Sequence, residues 1–303
     1  MKERPVKNLL RFLLLFSVLF AFPIPIHAQS DPSSDSFWEI ELSDGSKVIG
    51  TIVSEDVNFI QFKTLSGMDM KIPREQIKKI ELVKGKIISG TIWWDDPNRT
   101  RLLFSPTGRG LKAKQGYFAV YEIFLPFVAY GITDWLTIAG GFSLFPGASS
   151  QLLYLAPKIT PVRLEKLDLS GGVLYIKIPD LEDDEENSDD EVNSAGILYG
   201  VSTYGTEKAA LTVGLGFAFG GGEIAKKPVF VLGGELRASR SIKFISENWL
   251  IPDSEVQLLS AGIRFFGENL AVDFAFFYPA GGDPEGFPFL PWLGFVYNFG
   301  AKK

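Results

Sequence analysis

Trp135-Leu136-Thr137-Ile138-Ala139-Gly140-Gly141-Phe142-Ser143-Leu144-Phe145 decides the fold class. Leu136, Ile138, Phe142 and Leu144 alternate with Thr137, Ala139, Gly141 and Ser143, so one face is greasy and the other small. A period of two is that of a strand whose faces meet different surroundings. Leu211 to Phe219 and Leu270 to Phe276 repeat the pattern. A soluble β-sandwich also alternates, but its outer face usually carries Lys, Glu and Arg. Here the second face is mostly Gly, Ala, Ser and Thr, which suits a crowded barrel interior. The stretch from Trp135 to Pro157 has no charged residue and is long enough to imitate a membrane helix. Gly140-Gly141 and Pro146-Gly147, together with the alternation, make it two strands and a loop.

Working outward, the connections alternate in length. Residues 106–115, 146–151, 179–193, 220–228, 250–255 and 279–288 read as long, and 131–134, 165–167, 205–208, 240–241 and 267–269 as tight. This gives about twelve strands from residue 100 onward, the segment between 239 and 249 being the weakest. Strands of about nine to eleven residues suit a tilted outer-membrane barrel, and an even count places both ends of the barrel on the side of the tight turns, the periplasm.

The start of the chain sets the compartment. Lys2, Arg4, Lys7 and Arg11 precede an apolar run, Phe12 to Phe22, and Ile26-His27-Ala28 stands before Gln29. Residues 1–28 therefore read as a secretory signal peptide, too short in its apolar core to span a bilayer. Without them, four Lys/Arg and one Asp/Glu are lost and the formal charge moves from −6 to −9. That balance argues against nucleic acid as a partner. The only histidine is His27 and there is no cysteine, so a mature chain lacks the groups for His-assisted nucleophilic catalysis and for ordinary zinc or haem ligation. The expectation is a non-enzyme with no cofactor.

Residues 29–36 read as a linker, 37–94 as a small periplasmic β-domain, 95–98 as a second linker and 99–303 as the barrel. In the small domain, Phe37–Leu42, Lys47–Val53, Val57–Thr64 and Met68–Ile72 are short β-prone runs separated by turn residues. A helical turn at Pro73–Ile77 follows, then closing strands at Lys79–Val83 and Ile87–Trp93. With Asp44-Gly45-Ser46 and the later Ile72-Pro73 cadence, this segment resembles the small barrels of the SH3-like and Sm-like kind. The resemblance implies an adaptor or assembly role toward a periplasmic protein.

The larger segment, with Phe104-Ser105-Pro106-Thr107-Gly108, Glu247-Asn248-Trp249 and Pro291 to Phe299, resembles the uncharacterised porin-like outer-membrane barrels of Gram-negative bacteria. The resemblance implies contact with outer-membrane lipids, recognition of the end of the chain by the barrel-assembly machinery, and a channel for small solutes. A non-conducting barrel that anchors the small domain and a secreted soluble β-sandwich binding protein are the alternatives.

Strand register puts Glu122, Glu235, Arg237, Arg264 and Asp273 on the small-residue face, as lumen candidates. Glu235 and Arg237, two apart, are placed either to pair and help close the lumen or, unpaired, to set ion preference. Trp93, Trp94, Trp135, Trp249, Tyr278 and Trp292 fall near strand ends, as an aromatic girdle requires. The acidic run from Pro179 to Glu191 holds nine carboxylates in thirteen residues. It reads as a solvated outer loop, with Asp183, Asp184, Glu185, Glu186, Asp189 and Asp190 as a cation-binding alternative that lacks the glycine turn of an EF-hand.

Overall fold

The computed structural model describes residues 37–83, 85–88, 91–148, 150–178, 194–282 and 287–300. The signal segment 1–28 and the acidic run with Asp183, Asp184, Glu185, Glu186, Asp189 and Asp190 lie outside them. The described residues are all-β apart from one 3-10 turn, and they form two compact units, one ending at Asp95 and one beginning at Asp96.

In the first unit, β1 (Trp38–Leu42), β2 (Lys47–Glu55), β3 (Phe59–Thr64), β4 (Asp69–Pro73) and β5 (Ile77–Leu82) form one antiparallel sheet in the order β4-β3-β2-β1-β5. The 3-10 turn Arg74–Gln76 follows Pro73 and leads into β5. Alternate side chains Ile40, Ile60, Phe62 and Ile72 meet in a buried cluster flanked by Trp38, Val48, Ile52 and Ile80. At the first turn Asp44 accepts hydrogen bonds from the backbone N–H and the hydroxyl of Ser46, and these hold its carboxyl below the usual range. Among the described residues β6 (Lys86–Ile88) and β7 (Thr91–Trp93) pair only with each other. Lys79–Val83 thus closes the sheet as expected, whereas the second closing strand expected at Ile87–Trp93 is replaced by the separate pair β6 and β7.

In the second unit, β8 (Gln115–Tyr121), β9 (Leu125–Gly131), β10 (Leu136–Phe142), β11 (Leu153–Leu155), β12 (Lys158–Arg163), β13 (Leu167–Lys177), β14 (Ser194–Gly205), β15 (Ala209–Gly220), β16 (Glu223–Ile224), β17 (Val229–Ser239), β18 (Ile242–Leu250), β19 (Gln257–Phe266), β20 (Leu270–Ala280) and β21 (Leu290–Gly300) follow in order. β11 and β12 both pair with β10 and with β13, so they are one stave interrupted at Ala156-Pro157, and β16 is a short flap on β15. Because β8 pairs with β9 on one side and with β21 on the other, the sheet closes into a twelve-stave antiparallel barrel. A sandwich of two sheets is thereby replaced by one sheet with no free edge.

The staves are shifted at one place relative to the sequence reading. Residues 100–105 are not the first stave. Gln115–Gly131 is instead a hairpin, β8 and β9, joined by the turn Glu122–Phe124, where Glu122 and Ile123 adopt φ of 50° and 65°. This corrects Glu122 as a lumen charge: its carboxylate accepts the backbone N–H of Leu293 at 2.7 Å, at the end of the barrel. Tight turns at 132–135, 164–166, 206–208, 240–241 and 267–269 share one end with the start of β8 and the finish of β21.

The middle of each stave points apolar side chains outward, among them Phe118, Val128, Ile138, Val213, Phe244, Phe274 and Phe295, all of them exposed. In water so wide an apolar belt would be far larger than a soluble monomer tolerates. Facing hydrocarbon, it is the expected surface of a spanning barrel. Trp135 keeps an exposed position at a stave end. Trp249 and Trp292 do not belong to a girdle: they pack against the inner cluster of Leu102, Leu103, Ile245, Ala275 and Phe277.

Candidate functional site

The interior is occupied by the chain itself. Residues 96–111 form a hairpin closed by the Arg101 and Pro106 bridge and by Leu102 N–H to Ser105 O at 2.9 Å. Asn98, Leu102, Leu103 and Thr107 are wholly buried. This hairpin contacts inward side chains from opposite walls, so it crosses the lumen.

On one wall, Arg264 of β19 faces Asp273 of β20 in direct cross-strand register. Its Nε and Nη2 donate to the two carboxylate oxygens at 2.6 and 2.8 Å. Nη1 donates to Asp96 Oδ2 and to the carbonyl of Asn98, both at 3.0 Å, and Nη2 also reaches the carbonyl of Leu102. Lys243 of β18 donates to Asp96 at 3.0 Å, Glu207 at 3.2 Å and Glu235 at 3.4 Å. Glu235 of β17 in turn accepts from Arg109, on the returning arm of the hairpin, at 2.8 Å. Glu207 sits on the turn between β14 and β15. Burial raises its carboxyl, but the attraction of Lys243 and Arg99 outweighs this and holds it below the usual range.

At the tip, one oxygen of Glu247 accepts the successive N–H groups of Leu103, Phe104 and Ser105, each at 2.9 Å. Its other oxygen accepts Trp249 Nε1 at 2.7 Å. Opposite, Lys158 of β12 donates to the carbonyls of Arg109 at 2.6 Å and Thr107 at 3.3 Å. Thr203 and Ser170 bind the backbone N–H and carbonyl of Gly108 at 2.8 and 2.6 Å. The hairpin lies so close to the wall that a Cβ on Gly108 would stand 2.3 Å from the Asp168 carbonyl, and one on Gly233 2.1 Å from Leu102 Cδ1. Taking charges out of water costs several kcal/mol per ion. Pairing and backbone hydrogen bonds offset that cost here only because hairpin and walls interlock.

Of the lumen candidates, Glu235, Arg264 and Asp273 meet in this network. Glu235 is held by Arg109 and Lys243 rather than by Arg237. Arg237 donates to the carbonyls of Ser239 and Arg240 and lies over the Phe266 ring, 5.1 Å from its centroid. Asp96, Arg101, Arg109, Lys158 and Lys243 have no place among the sequence candidates, and Glu247 stands there only in the Glu247-Asn248-Trp249 stretch, not as a lumen charge. Lys158, Lys243 and Glu247 carry the same period-two signal as Arg264, whereas the hairpin residues have no periodic signal.

Above the tip, toward the end with the longer loops, the lumen changes character. A cavity of about 170 Å³ is lined by apolar and aromatic side chains including Leu125, Phe127, Tyr154, Leu174, Ile197 and Val231. Its floor is the hairpin, through Arg101, Phe104, Ser105 and Pro106.

No protein-family model matches the chain, and no curated protein matches it. Among solved structures, it is similar to "NanC porin structure in rhombohedral crystal form" at 7% identity, covering 63% of this chain and 100% of that one, with a TM-score of 0.37. It is also similar to OmpT, an outer membrane protein of Vibrio cholerae, with loop L8 deleted, at 10% identity, 87% and 98% coverage and a TM-score of 0.34. An in-vitro folded OmpT of Vibrio cholerae gives 9% identity, 87% and 96% coverage and 0.32. The ring of strand pairs described above defines the barrel independently of these likenesses.

Proposed function

We propose that this protein is an outer-membrane barrel whose lumen is closed to free solute diffusion by its own residues 96–111. The carrying observation is the buried ionic network of Asp96, Arg109, Glu235, Lys243, Arg264 and Asp273, which joins the hairpin to the walls. In this reading the tight turns face the periplasm and the long loops the outside, and the chain reaches its site through a cleaved signal segment and the barrel-assembly machinery. Residues 37–94 then offer an adaptor surface to a periplasmic protein. A non-enzymatic role is part of the proposal, since the buried carboxylates are already committed to cations or to backbone N–H groups.

The test is conductance of the purified full chain in planar bilayers. A closed barrel gives no steady current at moderate voltage. Stepwise conductance of the native chain would reinstate the solute channel and require the hairpin to leave the lumen.

A further inference from the structure

The cavity above the hairpin has one charged floor group. Arg101 is about nine-tenths buried, and among the described residues no carboxylate lies within ion-pairing distance of it. Its Nε donates to the Tyr117 hydroxyl and its Nη1 to the Phe104 carbonyl, both at 2.7 Å. The guanidinium lies 4.4 Å from the Phe127 ring centroid. Among the described residues Nη2 finds no hydrogen-bond acceptor. Ser105 and Tyr121 also line the cavity, and among the described residues their hydroxyls are buried and unpartnered. The carboxylate at the hairpin tip, Glu247, is saturated by three backbone N–H groups and Trp249 and makes no ion pair with Arg101. A buried cation beside free hydroxyls, under an apolar dome, is costly unless something anionic meets it.

We infer that the cavity binds a monoanionic amphiphile, a carboxylate with an apolar tail, its head on Arg101 Nη2 and its tail among Phe127, Tyr154 and Ile197. A guanidinium N–H and a carboxylate form a charge-assisted hydrogen bond about twice as strong as a neutral one. The volume fits the tail: a dry cavity of about 150 Å³ holds a benzene ring, so about 170 Å³ takes a ring or a chain of about that size. A longer tail would extend toward the end with the longer loops. This inference rests on the plugged lumen, because the hairpin is the cavity floor.

The experiment uses the full chain in non-ionic detergent with 8-bromooctanoate, whose bromine quenches a nearby indole; Trp249 lines the cavity. Saturable quenching is expected, at least tenfold tighter than with 8-bromooctan-1-ol, which has the same tail and no charge. Arg101→Gln should abolish that preference and Arg101→Lys retain part of it. Equal affinity for acid and alcohol, an unchanged preference in Arg101→Gln, or no saturable quenching would each overturn the inference. Should Arg101→Gln fail to fold, the acid and alcohol comparison on the native chain decides alone. Failure here with a non-conducting barrel removes the ligand and leaves the plug, whereas a conducting barrel removes the plug.

Discussion

Replacing Arg264 with Met is the most informative single change to the network. The guanidinium serves Asp273 through two hydrogen bonds and Asp96 through one, and it meets the carbonyls of Asn98 and Leu102. Without it, Asp96 keeps Lys243 at 3.0 Å, while among the described residues Asp273 keeps only the Asn98 amide at 3.3 Å. Removing one partner of a buried pair costs about 3–5 kcal/mol. At about 1.4 kcal/mol per tenfold, the balance between hairpin seated and hairpin released shifts by a factor of about 10² to 10⁴. Arg264→Met should therefore melt earlier in heat-dependent gel migration and show current steps absent from the native chain. The double change Arg264→Met with Asp273→Leu removes the stranded carboxylate and should recover part of the loss, though not the part due to the hairpin carbonyls left without a donor. A single variant that melts within about 0.5 kcal/mol of native, as exposed substitutions do, and stays silent in bilayers would refute this account of the network.

Val213→Arg, on the outward face between Leu211 and Leu215, should destabilise the barrel by about 2–4 kcal/mol if that face meets hydrocarbon, against about 0.5 kcal/mol or less on a wetted surface; urea titration in lipid vesicles separates the two. Glu247→Gln keeps the shape but weakens three backbone hydrogen bonds to a charged acceptor, each worth about 1.5–3 kcal/mol, and should raise protease cleavage within 96–111. Gly108→Ala should do the same through its clash with the Asp168 carbonyl. An epitope placed after Gly222, in the connection between β15 and β17, should be stained on intact cells, and detection only after permeabilisation would invert the topology.

The staves were legible where two environments flank a strand. Trp135–Phe145 and Leu211–Phe219 alternate because lipid and lumen alternate, and the structure places strands at Leu136–Phe142 and Ala209–Gly220. The count of twelve concealed two compensating differences. Leu102-Leu103-Phe104 is apolar enough to imitate a stave, yet it turns inward because Glu247 and Arg264 hold its backbone. The hairpin turn at Glu122–Phe124 lies within an apolar run and needs positive φ at Ile123, a conformation β-branched residues rarely adopt, so nothing local announced it. Arg264 and Asp273 were readable from parity alone; their partner Asp96 was not, since its place depends on contacts more than a hundred residues away. Trp249 and Trp292 lie near stave ends as a girdle would, but face inward because Glu247 accepts one indole and Tyr121 stacks on the other.

The closed lumen is tested most directly at Leu103, which is wholly buried in the hairpin. The chain has no cysteine, so Leu103→Cys gives a single thiol that a bulky water-soluble maleimide can probe in the folded, membrane-inserted protein. The account predicts no labelling until the barrel is unfolded by boiling, while a cysteine at Lys226 in the outer connection labels at once. Equal labelling of both sites in the folded state would contradict it.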